Sequence, residues 1–529
     1  MYKNQDNQLT LFSFQMPAGM ELDETNRWVQ LADLISWQSF EPLYAARFKN
    51  KKTGNVAIPF RLLLGAYIIK VLVKTTDEEA VRLIQENPSM QYFCGLLEYS
   101  NKKPFHHCAL VRFRQRLTPE LIDIINEIII VQAEQFIQQI EMSNSPLAKS
   151  FIKSNPEFFT NPKYYDNKVN TIESSSPSTI TNSGTMNLDS TCFVHEVRYP
   201  LDISLLDECR RNLEKLIDRL HDKKNGKKPR THRVIARSQY LKVIRKRRRT
   251  QEELAQAIGE QLKYIENNIK ILLRYFNQGK VLSPRHLERF NTILLIFEQQ
   301  SIKYSDPTAK IAQRIVSLSQ PYLRTIYRGK AGAVYEIGSQ ADISVKNGLV
   351  RLEYLSFDPY NESKNLIPAL NRYKLRYGYY PNRINVDQIY RTQENLEFCH
   401  KHNIEMLGPP LGKPKKDQIL DKKKIKLAEI ERIVVERKIS LLKRRYGLES
   451  LNTRTSHTSE MAIGLAVLIM NITNLSKLAL FLFFYFLYHY SVHFIGINKK
   501  IITNLATRYK SSIKNEYIEE KFGLLCNWL

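Results

Sequence analysis

The chain has 529 residues, enough for about two to four domains, and its 43% hydrophobic and 25% charged content is typical of a folded protein. Its 79 Lys and Arg against 53 Asp and Glu give a net charge of +26, so we expect a nucleic acid partner, with an anionic membrane as the alternative. The six cysteines lack zinc-site spacing and the N-terminus lacks a signal-peptide pattern, which argues against a zinc protein and favours the cytoplasm.

Residues 1–142 are predicted to form an all-helical domain. The apolar run 58–73 and the isoleucine-rich run 121–140 have the length of helices, and Thr76 precedes three acidic residues as an N-cap does. Basic side chains between these runs favour a DNA-binding domain. A helical bundle whose arginines only face solvent is the alternative. The candidate DNA contacts are Arg112, Arg114 and Arg116.

Residues 143–186 are rich in Ser, Thr, Asn and Pro and are predicted to be a flexible linker. Only a few aromatic residues, such as Phe158 and Phe159, are expected to dock locally. A strand carrying Asp189 and a helix over 205–220 are predicted next.

Residues 221–250 are strongly basic, with 13 Lys and Arg and a single acid, Asp222, and they lead into a helix-rich segment over 251–300. Such a concentration of charge binds backbone phosphate with salt-dependent affinity. Solvated charge without a partner is the alternative. The candidate DNA contacts are Lys227, Lys228, Arg245, Lys246, Arg247, Arg248 and Arg249.

From Ala333 onwards the pattern changes to short β-branched and aromatic runs. Two of these runs are joined by Asn347-Gly348, a strong signal for a β-hairpin. Strands are predicted over 333–338, 341–346, 349–356, 383–387 and 404–407, and helices over 367–377, 393–402 and 460–497. The stretch 478–497 is long enough to cross a membrane, but it contains two His and three Tyr. We interpret it as a buried core helix, with a membrane anchor as the alternative.

The segment 431–448 carries the most informative pattern. Arg432, Glu436 and Lys443 are offset by four and seven residues, which places them within about 40° of one another on a helix. An ordinary solvated charge pattern is the alternative for this segment alone. Three carboxylates, Asp189, Asp387 and Glu436, are the set that two Mg²⁺ (or Mn²⁺) ions about 3.5–4 Å apart require for phosphoryl transfer.

In this order the residues resemble the bacterial insertion-sequence transposases with a DDE triad. NLDSTCFVHEVRYPLDISLL is similar to the first-aspartate segment, NVDQIYRTQEN to the second, and ERIVVERKISLLKRRYGL to the glutamate helix. IPFRLLLGAYIIKVLVKTTDEEAVRLIQENPSMQYFCGL resembles the family's helical N-terminal domain. The resemblance implies an α/β fold: a ribonuclease H-like mixed sheet flanked by helices, with an all-α N-terminal domain.

The resemblance also implies the roles of the site residues. Asp189, Asp387 and Glu436 match the catalytic, metal-binding triad. The residues matching groups that position phosphate are Arg432, Lys443 and Tyr390. The implied protein is a cytoplasmic, nucleoid-associated transposase that cuts element ends and joins them to double-stranded target DNA, as a homodimer or larger synaptic complex. A decayed relic that binds element ends without cutting is the alternative.

The triad spacing is uneven: 198 positions (387 − 189) separate the two aspartates, but only 49 (436 − 387) separate Asp387 from Glu436. We therefore predict that 207–310 is a basic helical insertion after the first core strand. The core would then comprise 187–206 and 311–497, followed by a tail over 498–529. The insertion is expected to contact DNA; an inert helical hairpin that stabilises the core is the alternative.

Overall fold

The protein is built around a curled mixed β-sheet that is surrounded by helices. This architecture agrees with the predicted mixed α/β class. The computed structural model describes residues 14–17, 20–48, 56–143, 145–159, 182–197, 201–222, 226–330, 333–409 and 422–494. The predicted tail over 498–529 and most of the predicted linker, residues 160–181, lie outside the described residues.

The N-terminal part is helical, as predicted. Its helices are α1 (Arg27–Leu34), α2 (Trp37–Ala45), α3 (Phe60–Val73), α4 (Asp77–Glu86), α5 (Pro88–Phe93), α6 (Cys108–Arg116), α7 (Pro119–Met142) and α8 (Pro146–Ser154). The Thr76 hydroxyl accepts a hydrogen bond from the Glu79 amide at 3.1 Å, which confirms the N-cap of α4. Helix α8 lies inside the predicted linker, where Ser145 caps its first turn. Phe158 and Phe159 are buried, so the expected local docking is confirmed.

The sheet consists of six strands. They are β1 (Thr185–Val194), β2 (Arg324–Lys330), β3 (Ala333–Lys346), β4 (Leu349–Ser356), β5 (Arg383–Asn385) and β6 (Glu405–Leu407). The order is β2-β3-β1-β5-β6, and β4 also pairs with β3. Strand β3 is antiparallel to β1, β2 and β4, whereas β1–β5 and β5–β6 are parallel. Strand β1 therefore joins an antiparallel half of the sheet to a parallel half.

The β3–β4 hairpin confirms the Asn347-Gly348 prediction, because both residues have positive φ, 49° and 70°, as a type I′ turn requires. Two differences from the predicted strands stand out. Strand β3 is one continuous strand where two were predicted, and β2 was not predicted from periodicity.

Four helices complete the core: α13 (Leu366–Tyr377), α14 (Gln393–Lys401), α15 (Lys422–Arg444) and α16 (Ser456–Phe494). Within the described part of the chain, α16 is the one helix long and apolar enough to cross a membrane, over Ser456–Phe483, but most of that stretch is buried. The Asn471 amide donates to Asn126 of α7 at 2.8 Å and to the Val350 carbonyl of β4 at 2.7 Å. The N-terminal helices and the sheet thus share one hydrophobic core, and the packing does not separate at residue 142.

The long interval after β1 is helical, and its helices contribute to a hydrophobic cluster separate from that of the sheet. It comprises α9 (Asp202–Leu220), α10 (Arg233–Ile244), α11 (Gln251–Asn277) and α12 (Pro284–Ser305). A capping box between Thr250 and Glu253 begins α11. The first helix starts at Asp202, five residues before the predicted boundary.

Candidate active site

Asp189 lies on β1, and Asp387 follows the end of the neighbouring parallel strand β5 by two residues. The register of β1 and β5 places Asn187 opposite Asn385, and each aspartate follows its asparagine by two residues. Side chains two residues apart lie on the same face of a strand. Asp189 and Asp387 therefore project from the same face of the sheet at the junction of its antiparallel and parallel halves.

A single amide ties the glutamate helix to both strands. The Asn385 Nδ2 donates to Asn187 Oδ1 at 2.9 Å and to Glu431 Oε2 on α15 at 2.8 Å. Asn385 is 1% exposed, so losing either hydrogen bond would leave a buried polar group unpaired. This network fixes α15 against β1 and β5 five residues before Glu436.

Arg432 brings Glu436 and Asp387 together. Its Nη1 lies 3.1 Å from Glu436 Oε1 and 3.9 Å from Asp387 Oδ2. Both carboxylates are about half exposed, at 48% of their side-chain surface, whereas the Arg432 side chain is 23% exposed. The guanidinium thus supplies positive charge between two carboxylates that come from separate elements.

Asp189 lies in the same electrostatic environment. Burial raises the pKa of its carboxyl from the ordinary 3.8 to about 6; the Ser190 amide and Arg432 oppose this rise, and the Glu362 and Asp387 carboxylates add to it. Among the described residues, the triad does not form a group whose oxygens all lie within 4.8 Å of one another. Arg432 thus pairs with Glu436, lies near Asp387 and acts electrostatically on Asp189.

The carboxylates fit a hard divalent cation. One oxygen of Asp189 accepts from the Ser190 amide at 2.9 Å, and one of Asp387 accepts from the Gln388 amide at 2.8 Å. No described residue donates a hydrogen bond to the second oxygen of either aspartate. Carboxylate oxygens of this kind are the ligands that Mg²⁺ and Mn²⁺ prefer, and a cation would stabilise the charged form of Asp189, which burial disfavours and the neighbouring carboxylates disfavour further.

A further acidic group, not predicted from the sequence, lies on β3 opposite Ser190, the residue that follows Asp189. Asp342 is fully buried, and burial raises the pKa of its carboxyl to about 6. It accepts hydrogen bonds from Asn365 at 2.7 Å and from the Tyr390 hydroxyl at 3.4 Å. A single acid inside the apolar run ADISVK was the sequence signal that could have identified it.

This contact gives Tyr390 a partner inside the protein. Its side chain is fully buried, so it does not lie on a surface that DNA phosphate could reach, and it supports Asp342 instead. Lys443 lies on α15 and is partly exposed, and its positive charge is close enough to act on the Cys192 thiol of β1.

The predicted DNA contacts divide into exposed and internally paired side chains. Arg112 and Arg116 of α6 are exposed, but Arg114 donates to both oxygens of Asp77 at 2.8 and 3.2 Å and holds α6 against α4. Of the predicted contacts in the insertion, four are exposed and form no ion pair with a described residue: Lys227, Arg245, Arg247 and Arg248. Those engaged in internal contacts are Lys228 with Asp218, Lys246 with Glu253, and Arg249 with carbonyls at the end of α10.

Two family models match the chain. Residues 384–473 match a transposase DDE domain, and residues 18–116 match a transposase domain, DUF772. The first match includes Asp387 and Glu436 but begins after Asp189. The sequence is 29% identical over 92 residues to an uncharacterized protein, ORF8 in the nfe locus of Rhizobium meliloti. The aligned residues make up 17% of this chain and 44% of the length of that protein. No solved structure matches the chain.

Proposed function

Since the chain belongs to the insertion-sequence DDE transposases, we propose that it cuts the ends of its element and joins them to target DNA. The observation that carries this proposal is the convergence of the three acids. The parallel register of β1 and β5 aligns Asp189 with Asp387, and Arg432 links Asp387 to Glu436. The alternative, a relic that binds element ends without cutting, shares the fold and differs only in chemistry.

We propose a ribonuclease H-like fold for the catalytic core. The support is topological: three antiparallel strands, β4, β3 and β1, continue into the parallel strands β5 and β6. The aspartates lie at the junction between the two halves. Open α/β sheets commonly place their sites where the strand pattern changes in this way.

In the proposed site, Asp189, Asp387 and Glu436 would hold Mg²⁺ or Mn²⁺, two ions per site. Bound metal supplies a lowered pKa for an attacking water or 3′-hydroxyl and stabilises the leaving oxygen. The residues of the chain orient these groups: Asn385 sets the position of α15, and Arg432 offsets the mutual repulsion of the carboxylates. Arg432 and the partly exposed Lys443 are the proposed contacts to phosphate.

The proposed partner is double-stranded DNA, both the terminal inverted repeats of the element and the target. The net charge of +26 and the exposed cations of the insertion and α6 support this partner. We propose that the protein acts in the bacterial cytoplasm, on the nucleoid. Joining two ends requires at least a homodimer in the synaptic complex.

The proposal is tested with a supercoiled plasmid carrying the DNA that flanks the gene. The wild-type protein is expected to nick this plasmid only when Mg²⁺ or Mn²⁺ is present. Asp387→Asn should bind the DNA without nicking it. Glu394→Gln, which neutralises an exposed carboxylate on α14, is the matched control and should nick like wild type. Metal-independent binding without nicking by the wild type would instead support the relic.

A further inference from the structure

Helix α10 of the insertion has one buried and one open face. Ala236 and Tyr240 are buried against α9 and α11, at 0% and 3% exposure. The Ala236 carbonyl accepts from Gln261 at 3.1 Å, and the Tyr240 and Ser204 hydroxyls share a hydrogen bond at 3.3 Å. These contacts fix the orientation of α10 and so determine which side chains face outwards.

The outward face begins with two aliphatic side chains. Val234 is 78% exposed and Ile235 is 55% exposed. At about 100° per residue, Val234, Ser238 and Arg245 lie within about 40° of one another, on the side opposite Ala236 and Tyr240. The exposed aliphatic pair thus lies at the start of a basic helix, next to its cations.

The charge around this face has one sign. The sequence contains no Asp or Glu from residue 223 to residue 250. Arg233 and Arg237 turn back to pair with Asp218 and Asp207 of α9. Six exposed cations in this stretch have no ion-pair partner among the described residues: Lys227 and Arg230 before α10, Lys242 within it, and Arg245, Arg247 and Arg248 at its end.

We propose that α10 enters the major groove of duplex DNA, an inference that rests on the proposed function. A helix of 12 residues is about 18 Å long and about 10–12 Å wide, and the groove is about 12 Å wide. The cations at the two ends of α10 contact phosphates on the two strands. Val234, Ile235 and Ser238 face base edges, where aliphatic side chains contact thymine methyl groups.

This geometry separates two contributions that most basic surfaces mix. Phosphate contacts give affinity that depends on salt but not on sequence, whereas base contacts give sequence preference that depends little on salt. The arginines at the end of α10 and the aliphatic pair at its start can be changed separately. All of these side chains are exposed, so their truncation leaves the packing of the insertion intact.

The test uses the full chain and a library of randomised duplexes. The wild-type protein enriches its preferred sequence, and fluorescence anisotropy then measures affinity for that duplex and for a scrambled duplex over a range of salt concentrations. Val234→Ala with Ile235→Ala should lower the preference for the enriched duplex by about tenfold without changing the salt dependence. The triple variant Arg245→Ala, Arg247→Ala, Arg248→Ala should weaken binding to both duplexes alike and reduce the salt slope by about 2–3.

Matched controls are available in the same insertion. Val281 and Leu295 are also exposed, at 82% and 52%, and Arg285 is an exposed cation of α12; truncating each to Ala should change neither quantity. Unchanged sequence preference in the aliphatic variant, or an unchanged salt slope in the arginine variant, would overturn the inference alone. A wild-type protein that binds no duplex would overturn the proposed function with it. Binding to vesicles that contain anionic lipid is measured in parallel. If the aliphatic variant lost vesicle binding but kept wild-type DNA binding, the face would be assigned to a membrane and the inference overturned.

Discussion

Replacing Asp189 by Asn should stabilise the metal-free protein. Burial and neighbouring carboxylates raise the pKa of Asp189 from the ordinary 3.8 to about 6, so the charge of this group destabilises the folded state at neutral pH. That rise corresponds to about 3 kcal/mol in the free energy of unfolding. Asn keeps an oxygen for the Ser190 amide and carries no charge, so it removes this cost.

The sign and pH range follow from linkage. The pKa of Asp189 is higher in the folded than in the unfolded state. Its charge therefore destabilises the folded state fully above about pH 6, and this destabilisation disappears as pH falls below about 4. Urea unfolding in the presence of a chelator should therefore show that Asp189→Asn is more stable than wild type by about 3 kcal/mol near pH 7.5. The difference should fall to about 1 kcal/mol near pH 4.5.

Divalent metal should reverse the relative stabilities of the wild type and Asp189→Asn. Mg²⁺ offsets the carboxylate repulsion in the wild type, so it should raise the wild-type free energy of unfolding and leave the variant almost unchanged. Glu288→Gln, at an exposed carboxylate of α12, is the control and should show neither effect. A variant that is less stable than wild type at both pH values would refute the electrostatic reasoning, as would a difference that does not change with pH.

Three further substitutions test individual contacts. Asn385→Ala should raise the Mg²⁺ concentration for half-maximal stabilisation by about tenfold, because α15 loses its hydrogen bond to β5. Asn385→Asp adds a negative charge beside Glu431 and should raise this concentration further. Arg114→Ala should lower the free energy of unfolding by about 1–2 kcal/mol, because Asp77 then keeps only its ion pair with Lys70, while Arg112→Ala should change it by less than about 0.5 kcal/mol. Gly348→Ala should cost about 1–3 kcal/mol in urea unfolding, because φ is +70° and the new Cβ would lie 2.8 Å from the Glu157 carbonyl oxygen. If a substitution at one of these three positions left the measured quantity at its wild-type value, the contact it removes would not have the role described.

Local signals in the sequence predicted much of this fold. The Thr76 cap, the Asn347-Gly348 turn and the apolar run before Asp387 are each determined within a few residues, and the structure confirms these elements. Strand β2 forms a hairpin with the strand that follows it, β3, but its own residue pattern did not distinguish it from a loop.

The site was only partly predictable for the same reason. The spacing of Arg432 and Glu436 is a property of one helix, and their ion pair confirms that they share a face. The burial of Tyr390 and the pairing of Arg114 with Asp77 depend on elements brought together by tertiary packing. A basic or aromatic residue in a motif does not show whether its side chain faces DNA or another part of the protein.

The central claim is that Asp189, Asp387 and Glu436 form one site for a pair of divalent ions. Electron paramagnetic resonance of Mn²⁺ titrated into the full-length protein tests it most directly, because it counts bound ions and detects coupling between two that lie about 3.5–4 Å apart. Two coupled Mn²⁺ ions are expected in the wild type, and the coupling should be lost in Asp387→Asn and in Glu436→Gln. Coupled ions that persist in both variants, or no bound Mn²⁺ in the wild type, would contradict the account.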